Sequence, residues 1–161
     1  MFVEKVVLNA SPLILLCNSE LAFILPQLFR EIVVPEAVWQ EIMVNSHGDK
    51  AAQLLPTMDW LTKVSVISLP EVMTWDLGAG ETEVLSFAIK HRLYAPILDD
   101  MLAKKCAKAL NLQTIGTGTL LILAKEHGLI PSVEQSLRKL QDVGLWISEP
   151  VIQLLKNKAG E

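Results

Sequence analysis

Two adjacent acids, Asp99 and Asp100, follow directly on the apolar run Pro96-Ile97-Leu98. Neighbouring carboxylates at one strand end repel unless they are solvated, paired or bridged by a cation. Glu81 opens a helical stretch right after Gly78-Ala79-Gly80, and Glu41 lies in another helical stretch, after an apolar run. If these side chains converge, they form an all-oxygen cluster, the donor set that Mg²⁺ and Mn²⁺ select. His47, His91 and His127 are scattered, and Cys17 and Cys106 stand far apart, so no nitrogen–sulfur zinc site competes.

Each acid also has a plainer reading. Asp99-Asp100 suits a helix N-cap with a first-turn acid, and Glu81 suits a helix N-terminus. Glu41 and Glu83 read as solvent-facing helix acids, and Asn9 as a strand-end residue bonding the local backbone. Lys104, Lys105 and Lys108 follow the Asp pair, either as phosphate contacts or as a solvated face. Gly78-Ala79-Gly80 and Gly116-Thr117-Gly118-Thr119 match neither nucleotide-binding glycine pattern. The four tryptophans suit core or dimer anchors, Trp75 being the one placed in a loop before the candidate site.

The elements that must position these residues alternate between short apolar runs and helical stretches. Val6–Leu8, Ile32–Val34, Pro96–Leu98 and Thr114-Ile115 read as core strands, Val64–Ile67 as an edge strand and Leu145–Ile147 as a last short one. Helices are expected from Pro12, through Leu21–Phe29 with an interruption at Pro26, and over Glu36–Val44, Lys50–Leu55, Glu81–His91, Leu102–Leu110, Leu120–His127, Ser132–Val143 and Glu149–Lys158. Pro70–Gly80 reads as a loop with one turn of order. Strands separated by helices imply a mostly parallel sheet with helices on both faces. Ligands of such sheets bind beyond the carboxyl ends of the strands. That singles out Asn9 and Ser11, Asp99 and Asp100, and Gly116 and Thr117.

The chain has 161 residues, 51% of them hydrophobic, enough for one domain with a sizeable core. Fourteen basic against 18 acidic residues give a net charge of −4, which excludes polycation-style binding but not a local basic patch. Two distant cysteines give no disulfide framework. No run approaches the ~20 apolar residues of a membrane span. The start, Met1–Lys5, lacks the features of a signal peptide, so a cytoplasmic protein is expected. A mean hydropathy of +0.38 suggests apolar surface covered by a second copy.

Five segments, in order, resemble the PIN-domain family, the ribonuclease fold of VapC-like toxins, and more closely an uncharacterised prokaryotic subgroup of it. They are Val7-Leu8-Asn9-Ala10-Ser11-Pro12-Leu13-Ile14, then Val34-Pro35-Glu36-Ala37-Val38-Trp39-Gln40-Glu41, then Gly80-Glu81-Thr82-Glu83, then Leu98-Asp99-Asp100 with Ala103-Lys104, and Ile115-Gly116-Thr117. The resemblance implies one domain over 1–161, an α/β fold built as a three-layer α/β/α sandwich. It also implies RNA phosphodiester hydrolysis with Mg²⁺ or Mn²⁺ held by clustered acids. Carried over, the four acid positions fall on Asn9, Glu41, Glu81 and Asp99. Asp100, Ser11 and Thr117 would stand close behind them. Such proteins are commonly homodimers, and many are toxins paired with an antitoxin protein. Asn9 stands where the family usually has Asp, which removes one negative charge from the cluster. The alternative is therefore a catalytically weakened PIN module that binds RNA or a protein partner.

Overall fold

The computed structural model describes residues 3–44 and 50–161; His47, Met1 and Phe2 lie outside them. The strands are β1 (Lys5–Leu8), β2 (Glu31–Pro35), β3 (Leu61–Val64) and β4 (Tyr94–Ile97). They form one wholly parallel sheet in the order β3-β2-β1-β4. After their first residues, β1 and β2 are buried at every position. Continuous apolar strands of this kind are what a parallel sheet covered on both faces requires.

The helices are α1 (Ala10–Asn18), α2 (Ile24–Leu28), α3 (Glu36–Val44), α4 (Lys50–Leu54), α5 (Pro70–Met73), α6 (Ala79–Lys90), α7 (Met101–Ala109), α8 (Thr117–Glu126), α9 (Val133–Asp142) and α10 (Glu149–Lys158). The chain steps from β1 to β2 to β3 in one direction, then crosses back over the sheet to β4. Right-handed crossovers therefore place α6 on the face opposite α1 and α2. In keeping with this, α6 packs on β1, β2 and β4, while α2 packs on β2 and α8, and α8 on α9 and α10. The α/β sandwich expected from the sequence is the fold.

Several local expectations need correction. The edge strand lies at Leu61–Val64, not Val64–Ile67. Leu61 is buried and Ile67 is exposed, so the alternation over 64–67 marks chain leaving the sheet. Thr114-Ile115 contributes a single bridge, Ile97 with Ile115, and no strand. Leu145–Ile147 forms no strand, and Trp146 is 91% exposed rather than a core anchor. Pro26 does not interrupt α2, because it occupies the first turn, where a backbone N–H has no helical acceptor to lose. β4 starts two residues early, and Pro96 is tolerated because its carbonyl faces Ile115 at the outer edge, not β1. Helix α8 begins at Thr117, three residues before the apolar run that announced it.

Both cysteines are buried and unpaired, and burial pushes the Cys17 thiol up to about 11, so it is inert at neutral pH. The start of α9 is closed by a distant carboxylate. Glu161 accepts from Ser132 Oγ (2.9 Å), Val133 N (2.6 Å), Glu134 N (3.2 Å) and Lys125 Nζ (2.9 Å). Burial alone would raise its pKa, but these donors outweigh it and hold the carboxyl at about 2, against an ordinary 4.5. The folded value lies below the unfolded one, so this stabilisation is complete above pH 4.5 and is lost as pH falls toward 2. Glu161→Gln is expected to lower the urea midpoint at pH 7 and to flatten its decline across that acid window; unchanged pH profiles would contradict the assignment.

Candidate active site

The candidate residues are brought together by strand register. Leu8 pairs with Ile97, and Asn9 N donates to Ile97 O at 3.1 Å. Leu98 N donates to Ile115 O at 3.1 Å, and Ile115 N to Pro96 O at 2.9 Å. Asn9, Asp99 and Thr117 therefore stand at the carboxyl edge of successive chain segments. Strand spacing of about 4.8 Å keeps them neighbours.

Asp99 is held by the start of α8. Its Oδ1 accepts from Thr117 N at 2.8 Å and its Oδ2 from Thr117 Oγ1 at 2.5 Å. Thr117 is 1% exposed, so its hydroxyl serves Asp99 rather than solvent. Gly116 permits a further approach. A Cβ there would lie 3.2 Å from Lys104 Nζ and 3.3 Å from Asp99 Oδ1, so the ammonium and the carboxylate flank the same bare backbone without forming an ion pair.

A second group forms around Gly80, in the first turn of α6. A Cβ at Gly80 would lie 3.2 Å from Val38 Cγ2, 3.4 Å from Glu41 Oε1 and 3.5 Å from Asn9 Oδ1. The missing side chain lets α3 and the end of β1 close on α6. Desolvation raises the pKa of Glu41, and the charge of Glu81 raises it further. Glu41 as a residue is exposed, so this crowding is confined to its carboxyl end. Glu81 Oε2 accepts from Gly78 N at 3.1 Å, half of a capping box that glycine cannot reciprocate.

Asn9 departs from its plainer reading. It occupies the N-cap of α1, yet its side chain caps nothing. The amide is 4% exposed, makes no hydrogen bond among the described residues, and points its oxygen at the Gly80 group. Its side-chain oxygen is therefore uncommitted and available to water or a ligand at the edge.

Other candidates resolve differently. Asp100 is the N-cap of α7, accepting from Ala103 N at 2.9 Å, which is the plainer reading. Ser11 is exposed on the first turn of α1, and Lys105 and Lys108 are exposed on α7. Trp75 is half-buried against the core and offers no open stacking face. Glu83 is not a surface acid. Its Oε1 accepts from Ala37 N at 3.1 Å and so fixes the start of α3, the helix that carries Glu41. Only its place two residues after Glu81 could have hinted at this. Among the described residues, no three Asp, Glu, His or Cys side chains converge closely enough to hold a metal ion. The oxygens stand instead in two groups, Asn9–Glu41–Glu81 around Gly80 and Asp99–Thr117 around Gly116.

A family model described as a PIN domain matches residues 5–161. The chain belongs to the PIN-domain family. No curated protein matches it. PIN domains are usually nucleases and typically use divalent metals, and the family implies a nucleic-acid substrate. No helix among the described residues is long and apolar enough to cross a membrane.

The residues of this PIN domain fit a hard divalent cation. The donors are all oxygen, and the Asn9 carbonyl, which makes no hydrogen bond among the described residues, is one of them. Mg²⁺ keeps several waters and needs only one or two protein carboxylates, so two separate oxygen groups suit it without a closed cage. The Asp99 contacts carry a cost if broken. Asp99→Ala leaves the Thr117 donors without their acceptor and is expected to destabilise by about 1–3 kcal/mol in urea denaturation. Asp99→Asn keeps one acceptor and is expected to lose less; equal losses would contradict this account.

Proposed function

We propose that the chain is a Mg²⁺- or Mn²⁺-dependent endoribonuclease, acting in the cytoplasm as the toxin of a toxin–antitoxin pair. The observation that carries the reading is the buried, uncommitted Asn9 amide directed at the Glu41 carboxylate across Gly80, within a PIN domain. A bound divalent ion supplies a water of lowered pKa and neutralises charge on the scissile phosphate. The protein's task is to hold it. Glu41 and Glu81 offer carboxylate oxygens from α3 and α6, Asn9 a neutral carbonyl, and Asp99 a carboxylate steadied by Thr117. Lys104, beside Asp99, offers a positive group to a backbone phosphate, with Lys105 and Lys108 behind it on α7. Ser11 and Asp100 border the edge without joining either oxygen group. No side-chain nucleophile is required.

A second reading has its own support. Asn9 lacks the charge of the usual Asp, and the carboxylates stand apart, which suits a weakened module that binds RNA or a partner protein. Cleavage of mixed cellular RNA decides between them. Metal-dependent cleavage, blocked by chelator and reduced about 100-fold or more in Asp99→Asn, is expected. Cleavage that appears only in Asn9→Asp would establish the second reading.

The exposed Trp146, Val151 and Leu154, on and before α10, support a covered apolar face. We assign it to a homodimer, with an antitoxin as a further partner. Light scattering at micromolar concentration is expected to give twice the chain mass; a monomer would overturn the dimer.

A further inference from the structure

We propose that a single-stranded nucleic acid leaves the acid edge along α7 and ends in a second subsite at the opposite end of the sheet. This inference rests on the nucleic-acid reading of the acid edge. The path begins at Gly116, whose backbone Lys104 Nζ and Asp99 Oδ1 both flank. Lys108 lies four residues on, so it shares the Lys104 stripe one helical turn, about 5.4 Å, further along. Lys105 belongs to the same stripe. Beyond it, Arg92 Nη1 donates to Leu110 O at 3.2 Å and Asn111 O at 3.3 Å, which seats the guanidinium at the end of α7.

There the stripe meets a cavity of about 560 Å³, within the range of small-ligand sites. Its wall includes Arg92, Lys5, Tyr94, Asn111, Gln113 and Thr114. The wall runs from Asn111, just past the end of α7, to Ile115, so the cavity adjoins the far end of the stripe. Its one acid, Glu4, is engaged by Arg30 at 3.4 Å. Side-chain amides and hydroxyls are the groups that read base edges, and a cationic rim suits the strand that carries the base.

The helix dipole does not explain the stripe. A cation near the α7 C-terminus, such as Lys108, is favoured by it. Lys104 ends the first turn, where the dipole opposes a cation, and its ammonium is still brought to the acid edge. The chain carries −4 overall, so a cationic line from the acid edge to this cavity, whose mainly apolar wall includes Leu93, Tyr94 and Leu112, is a local concentration of charge.

The test is fluorescence anisotropy with labelled single-stranded RNAs of four and twelve nucleotides in chelator, where metal-dependent cleavage cannot occur. The variants are Lys108→Glu and Gln113→Glu, both at exposed positions, with Lys158→Glu on α10 as the charge control and circular dichroism as the fold check. The wild type is expected to bind the 12-mer more tightly than the 4-mer. Each path variant should weaken the 12-mer about tenfold and leave the 4-mer within about twofold, while the control binds as wild type. Lys108→Glu should also lower the salt slope by about 0.7 per lost phosphate contact. Equal binding of the two lengths, no binding, or path variants that match the control would overturn the path. Length-dependent binding lost in the path variants, with no cleavage in Mg²⁺ or Mn²⁺, would leave the path standing and overturn only the nuclease reading. Cleavage by a protein whose path variants bind as wild type would do the reverse.

Discussion

Everything at the acid edge depends on the pairing of β1 between β2 and β4. Residues 6–8 of β1 are buried, so its register cannot slip without exposing Val6, Val7 and Leu8 or breaking both ladders. That register sets Asn9 beside the end of β4, and the end of β4 sets Asp99 beside the start of α8. No loop has to fold into place to assemble the edge. Rigid strands deliver it, and the helices that start there supply backbone donors for the carboxylates. The two glycines complete the approach. Gly80 lets Glu41 and Asn9 close on α6, and Gly116 lets Lys104 and Asp99 approach the start of α8.

Much of this was legible in the sequence. Short β-branched runs alternating with helical stretches gave the parallel sheet, because such runs fit only strands buried on both faces. Glu36–Val44 and Glu149–Lys158 were readable to the residue, since Pro35 and Pro150 punctuate their starts and their apolar spacing is helical. The failures share one cause, which is that local pattern does not report tertiary pairing. Val64–Ile67 alternates like a strand but runs past its partner, Pro35 being the last β2 residue paired with β3. Leu145–Ile147 is apolar enough for a strand, yet no strand edge lies beside it. At the candidate site, Glu41, in the body of α3, was singled out by the family resemblance, while the places of Asp99 after a strand and Glu81 at a helix start were legible. Their division between two glycines was not, because it depends on side-chain direction. Nor was the role of Glu83, whose partner at Ala37 is 46 residues away.

The acids of the edge differ in how the protein holds them, and the difference bears on mechanism. Asp99, Asp100, Glu81 and Glu83 each accept a backbone N–H, from Thr117, Ala103, Gly78 and Ala37. A carboxylate that accepts such a bond beside a helix start is stabilised by the backbone itself. Glu41 accepts no hydrogen bond among the described residues, and it is the acid whose pKa is raised by desolvation and by Glu81. Asn9, beside it, is likewise without a partner. The two side chains that make no hydrogen bond among the described residues therefore both flank Gly80. An Asp in place of Asn9 would put a second carboxylate next to one already strained by crowding and by Glu81. The neutral amide avoids that repulsion while keeping an oxygen in position. In the nuclease proposed above, Asn9 would trade affinity for a cation against this repulsion, and Glu41 would be the carboxylate that gains most from a nearby positive charge.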